Sequence, residues 1–157
     1  RSFKDPREHK GVIMKYSFKI HKEGKGFWAQ GIELPGCFTQ GDSMEELQKN
    51  MREALNLIVS EPADSDDFVP FPDKSIKASR SIVKVPVDPQ VAFSFYVRLF
   101  RKKHKLTQKQ VANKLGFKSI FQYQRLESAN YNPTLNTLAL VKVLFPEISL
   151  DQLCDIG

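Results

Sequence analysis

The chain has 157 residues, 41% of them hydrophobic and 27% charged, a balance that supports packed cores and excludes a disordered polymer. No apolar run nears the ~20 residues that span a bilayer, and residues 1–13 lack the apolar stretch of a secretory signal; a cytoplasmic protein with no membrane partner is expected, with 1–13 an N-terminal extension or tag ahead of Met14. The net charge of +6 divides unevenly, with seven Lys/Arg against eleven Asp/Glu over residues 14–74 and thirteen against five over residues 75–157, so the first part suits a basic protein and the second a polyanion such as DNA.

From Met14, "KYSFKIH" alternates Tyr16, Phe18 and Ile20 with polar neighbours, the two-residue period of a strand. "KEGKG" supplies a turn and "FWAQGIEL" a second strand, with Trp28 expected in the sheet core. Pro35-Gly36 breaks that strand, and "CFTQG" is a short third one. Ser43 and Glu46 have the spacing of a reciprocal helix cap, and Met44, Leu47, Met51, Leu55 and Ile58 then recur at threes and fours, predicting a helix over one sheet face that ends near Glu61-Pro62. "EPADSDDFVPFPDKS" reads as a surface loop pinned by Phe68 and Phe71, and "SIVKVPV" as a strand whose Pro86 requires an edge or a strand end. Cys37 and Cys154 are read as structural thiols, since their separation matches neither a metal site nor a disulfide framework.

Asp88-Pro89 has the composition of a helix N-cap followed by its first residue, which places a domain boundary at 87–88. Thr107/Gln110, Ser119/Gln122 and Ser149/Gln152 repeat the hydroxyl-to-Gln spacing of a capping box and mark three further starts. With helices over about 89–104 and 135–144, residues 88–157 form a five-helix, all-α domain, and residues 14–87 a small antiparallel sheet with one covering helix. The first helix has an inward stripe of Phe93, Val97 and Phe100 and a second strip, Phe95 and Leu99, expected to make a dimer or interdomain contact.

Helices over 108–115 and 120–128, joined by a turn containing Gly116, have helix-turn-helix geometry, with Ala112 small where the two approach. Through "LTQKQVANKLGF", "YQRLES" and "NPTLNTLALVKVL", residues 91–154 resemble the Cro/CI-like helix-turn-helix family. The resemblance implies that Ser119, Ile120, Phe121, Gln122 and Arg125 face the major groove, Gln122 and Arg125 as base readers, with Gln108 and Lys118 near phosphates. This chain has one residue more than the usual pattern between Gly116 and Glu127, and Ile120 and Phe121 stand where polar readers are commoner.

His9, His21 and His104 lie apart, with no nucleophile, metal-ligand or phosphate-loop motif around them; no catalytic residue, metal or cofactor is assigned. The stretch "YSFKIHKEGKGFWAQGIELPGCFTQGDSMEELQKNMREAL", followed by "VPV" and the helical domain, resembles the HicB antitoxin family. That resemblance implies a partial RNase H-like fold without catalytic carboxylates, bound to a HicA-like toxin, a small basic mRNA interferase. Charge and loop position nominate Glu33, Asp42, Asp64, Asp66 and Asp67 for the toxin contact. The expected protein neutralises that toxin and represses its own operon, as a homodimer or higher oligomer on double-stranded operator DNA. The rivals are a ligand-sensing helix-turn-helix repressor, which requires an apolar pocket in residues 14–87, and a metal-dependent ribonuclease.

Overall fold

The computed structural model describes residues 14–60 and 69–154. The alternating segment forms β1 (Lys15–Glu23), which turns through Gly24 and Lys25 into β2 (Gly26–Gly31). Gly24 sits at φ +59°, a conformation it adopts without a Cβ clash, and so permits the two-residue turn. β3 (Phe38–Gly41) pairs with β2, and β4 (Ile82–Pro86) with the other side of β1, in the antiparallel order β3-β2-β1-β4. Pro86 lies on an edge strand, as its missing N–H requires.

α1 (Met44–Val59) covers one face of this sheet, packing on β2 and β3. Its buried stripe is Leu47, Met51, Leu55 and Val59, set against Tyr16, Phe18 and Ala29. Met44 is exposed and Ile58 half-buried, so Val59 closes the stripe in place of the expected Ile58. The Ser43 hydroxyl accepts the Glu46 N–H at 3.1 Å, but the Glu46 carboxylate reaches past Ser43 to the N–H of Asp42, at 2.7 Å. Gly41 allows the close approach of β3 and α1: a Cβ there would stand 2.6 Å from the Leu47 nitrogen. Cys37 is buried, which pushes its thiol up to about 11 and keeps it protonated at neutral pH.

Among the described residues no helix covers the opposite sheet face, which carries His21, Trp28 and Phe38 together with Lys19. Trp28 is therefore outside the sheet core, contrary to expectation. The strand alternation gives the core position to its neighbour Ala29, while Trp28 is half-buried and stacks on His21 with ring centroids 4.0 Å apart.

Five helices follow β4: α2 (Pro89–Lys103), α3 (Gln108–Lys114), α4 (Ile120–Gln124), α5 (Leu135–Leu144) and α6 (Leu150–Cys154). α2 is buried on every side, all eleven residues from Val91 to Arg101, because its sequence is apolar around most of its circumference. Of the two contacts expected of Phe95 and Leu99, dimer or interdomain, the structure forms the second, because both are buried within the chain and Phe95 meets Phe71 of the first region. Phe95 packs edge-on against Phe71 at 5.9 Å, so the strip faces the segment after β3 and α1 and is closed to a second copy. The Tyr16 hydroxyl donates to the Pro70 carbonyl at 2.9 Å, which fixes the same segment from the sheet side. Phe68 lies outside the described residues.

Asp88 holds the N-cap position of α2 but makes no side-chain cap. Its carboxylate turns to Arg52 of α1, at 2.6 Å, and its N–H donates to Asn56 Oδ1. No described helix is long and apolar enough to cross a membrane. Gly41→Ala is expected to lower stability by ~1–3 kcal/mol, because helix backbone must shift to admit the methyl group. Equal urea midpoints for the variant and the parent would show that β3 and α1 separate without cost.

Candidate nucleic-acid interface

α3 begins with both halves of the expected box: Thr107 Oγ1 accepts the Gln110 N–H at 3.1 Å, and Gln110 Oε1 accepts the Thr107 N–H at 2.8 Å. The helix closes at Gly116, whose φ of +75° lets the chain reverse direction within the Leu115–Ser119 connection. Val111, Ala112 and Leu115 are buried, and the small Ala112 leaves room for α4. The second element is shorter than the 120–128 helix expected: α4 ends at Gln124 and a 3-10 turn covers Arg125–Glu127.

That turn delivers Glu127 into the interior, where its carboxylate is 1% exposed. Arg101 of α2 donates to it through Nε at 2.5 Å, Tyr123 through its hydroxyl at 2.7 Å, and Gln108 through Nε2 at 2.7 Å. Arg101 also donates to the Leu106 carbonyl at 3.2 Å, where the chain enters α3. Burial disfavours the charged guanidinium of Arg101, but the bonds and charge of Glu127 outweigh that and raise its pKa. Tyr123 is raised by burial first and by the Glu127 charge second, so it remains a neutral donor.

This cluster decides which expected contact residues face outward. Gln108 is half-buried, with its NH2 on Glu127 and its oxygen accepting from Gln124 at 3.1 Å, so it is held inside the fold. Gln122 is exposed, but its Oε1 accepts the Lys118 N–H at 2.7 Å and the Ser119 N–H at 3.4 Å, folding the amide over the start of α4. Lys118, Ser119 and Arg125 are exposed, Phe121 is 71% exposed, and Ile120 is half-buried. Lys109 and Lys114 of α3 are exposed beside them. Between Pro89 and Pro146 the sequence holds a single acidic residue, Glu127, and it is buried. The surface of α3 and α4 is therefore cationic without an opposing carboxylate.

Neither Arg101 nor Tyr123 was nominated from sequence. The available signal was the rarity of acid in this region: a lone Glu among basic and apolar residues needs a reason, and here it is a buried partner.

Of the acidic residues nominated in the first half, Glu33 is committed to structure, its carboxylate accepting the Ser17 N–H at 2.8 Å, the Ser17 hydroxyl at 3.2 Å and the Asp73 N–H at 3.2 Å. Asp42 is exposed just before α1. Asp64, Asp66 and Asp67 lie outside the described residues.

Residues 97–153 match the helix-turn-helix family model. The chain is 24% identical over 75 residues to the antitoxin HicB of Pseudomonas fluorescens, a match covering 48% of this chain and 51% of that protein, so it spans about half the length of that relative. It is 33% identical over 55 residues to a UPF0150 protein of Archaeoglobus fulgidus, 34% of this chain and 80% of the relative. A UPF0150 protein of Thermoplasma acidophilum is 33% identical over 58 residues, 36% of this chain and 84% of the relative.

Glu127→Ala is expected to cost about 3–5 kcal/mol, since it leaves the buried Arg101 charge uncompensated. Removing both charges, in Arg101→Leu with Glu127→Leu, recovers much of that loss. Chemical denaturation of the singles and the double measures the coupling; strictly additive losses would show that the pair does not act as a unit.

Proposed function

The chain belongs to the HicB family, and from that we propose that it is an antitoxin with two arms, residues 14–87 binding a HicA-like toxin and residues 88–157 binding operator DNA to repress its own operon. It acts by covering a partner and by occupying DNA, with no chemistry of its own. The observation that carries the DNA arm is the surface of α3 and α4, where Lys118, Ser119, Phe121 and Arg125 project from a framework with no exposed carboxylate between Pro89 and Pro146. Cations there neutralise phosphates and give salt-dependent affinity, while Arg125 can bridge a guanine edge and Ile120 and Phe121 can pack on thymine methyls. Gln122 serves first as a cap and reads bases only if that bond is exchanged.

Two recognition elements about one duplex turn apart, roughly 34–36 Å, require a dimer. The burial of Phe95 and Leu99 moves the dimer contact elsewhere. α5 offers it: Leu135 is 84% and Val143 81% exposed, and Ala139 lies between them at the same four-residue spacing. α5 carries no acid, and its one cation, Lys142, donates to the carbonyls of Pro146 and Ile148, so two copies can meet there without repulsion. On the toxin arm, Asp42 and the exposed Glu45 and Glu53 of α1 offer charge to a basic partner, with Asp64, Asp66 and Asp67 proposed to add to it.

Co-expression with a small basic protein of the HicA-like class from the same genome, followed by purification, tests the toxin arm; failure of the two to co-purify would overturn it. Binding to the upstream DNA tests the other arm. Arg125→Ala is expected to lose ~1–3 kcal/mol at one base position, and Lys118→Ala to lower the salt slope by about one with sequence preference kept. Val143→Asp should yield a monomer by sedimentation and weaken operator binding together. Unaltered operator affinity in all three variants would remove helices α3 to α5 from the interface.

A further inference from the structure

The sheet face turned away from α1 has chemistry that neither arm uses. Trp28 and His21 are cross-strand partners whose rings lie nearly parallel, 14° apart with centroids separated by 4.0 Å. The two rings cover each other's inner faces, so the pair offers stacking through its outer faces. Phe38 is 70% exposed on the neighbouring strand, opposite Gln30 and so one diagonal step from Trp28, roughly 7–8 Å away by strand geometry.

Cations frame these rings. Lys19 is exposed and pairs with Gln30 on one side and Ile82 on the other. Lys84 crosses to the Ser17 hydroxyl at 2.6 Å, which uses one of its three ammonium protons. The strands place no acid of their own on this face short of Glu23 at the hairpin tip, and Glu33 reaches only its far end, where it accepts from the Ser17 hydroxyl beside Lys84. Most of the described acids of residues 14–74, Asp42, Glu45, Glu46 and Glu53, stand on α1 or just before it. A basic protein would meet like charge on this face, whereas a polyanion with unpaired π-faces meets both of its requirements.

We propose that the uncovered sheet face binds single-stranded nucleic acid, with bases stacked on Trp28 and Phe38 and the backbone phosphate held by Lys19. A duplex does not fit this chemistry, because its bases are already stacked on one another and offer no free face to the rings. The site is separate from the α3 and α4 surface and from Asp42, Glu45 and Glu53 on the α1 side.

Trp28 is the only tryptophan in the chain, so its fluorescence reports occupancy directly. The probes are oligo(U) and oligo(dT) of roughly 12 nucleotides, within the span of a single-domain site, and a random duplex of equal length, each titrated into the full chain. The single strands should quench Trp28 saturably and with salt dependence, and the duplex should leave it unchanged. Phe38→Ala removes an exposed side chain and should weaken single-strand binding about fivefold or more, the loss of one stacked base. Lys19→Glu should weaken it further and flatten the salt dependence.

Both variants should keep operator binding and toxin capture, so a failure here is distinguishable from a failure of the antitoxin reading. Absence of quenching overturns the proposal. So does single-strand binding that ignores Phe38→Ala and Lys19→Glu but falls in a Lys118→Ala, Arg125→Ala double variant, which would assign it to the helix-turn-helix surface. Loss of toxin capture in Phe38→Ala with oligonucleotide binding intact would make the face a protein interface and equally overturn it.

Discussion

The carboxylate of Glu127 is the fixed point of the helical region. A charge so deeply buried is tolerated only when its lone pairs are met, and here they are met from three elements: Arg101 of α2, Gln108 of α3 and Tyr123 of α4. Because the acceptor sits on a 3-10 turn directly after α4, drawing it inward turns Tyr123 and Leu126 to the core and leaves Phe121 and Arg125 outside. The presentation of the cationic surface thus follows from a hydrogen-bonding requirement beneath it. The shortness of α4 belongs to the same constraint, since the tighter turn carries Glu127 to its three donors.

α2 extends that constraint to the rest of the molecule. It is buried over three turns, and its rings continue a path from Phe71 through Tyr96 and Phe100 to Phe145 at the end of α5, with centroids 6.0–6.4 Å apart. Burial pushes the Tyr96 hydroxyl up to about 12, consistent with a dry environment along this path. Val85 and Val87 join the same core from the sheet side. A helix with a solvent face would tie only one of its neighbours. One buried all round couples the sheet region and the helix-turn-helix region through shared packing, so a cavity made at Tyr96 would be felt on both sides.

What could be read from the sequence was local. Strand alternation at Tyr16, Phe18 and Ile20, the Thr107–Gln110 box and the breaker at Gly116 depend on neighbours within a few residues, and each leads to the element expected of it. The misplacements all involve partners distant in sequence. Asp88 was read as a cap because nothing nearby competes for its carboxylate; Arg52, thirty-six positions earlier, does. For Phe95 and Leu99 only the dimer alternative fails, since Phe71, twenty-four positions before Phe95, takes that ring within the chain. Gln108 and Gln122 have the right residue type for DNA, yet groups of the protein itself, the buried Glu127 and the exposed N–H groups at the start of α4, claim them first. Trp28 was misplaced for a related reason: periodicity separates two strand faces but does not say which one a helix will cover.

Charge shows the same division between segment and surface. The balance of −4 over residues 14–74 is a sum along the chain, and binding depends on what shares a face. Glu33 contributes to that sum but spends its carboxylate on Ser17 and Asp73. Asp42, Glu45 and Glu53 lie on the helix side, while Lys19 projects from the uncovered side of the sheet. A two-residue strand period sorts neighbouring residues onto opposite faces, so a mixed sequence can yield surfaces of opposite sign only one sheet thickness apart. The recognition properties of this part of the chain are therefore fixed by the pairing register of β1, β2 and β4, since a slip of one residue would bring Lys19 under α1 and expose Phe18.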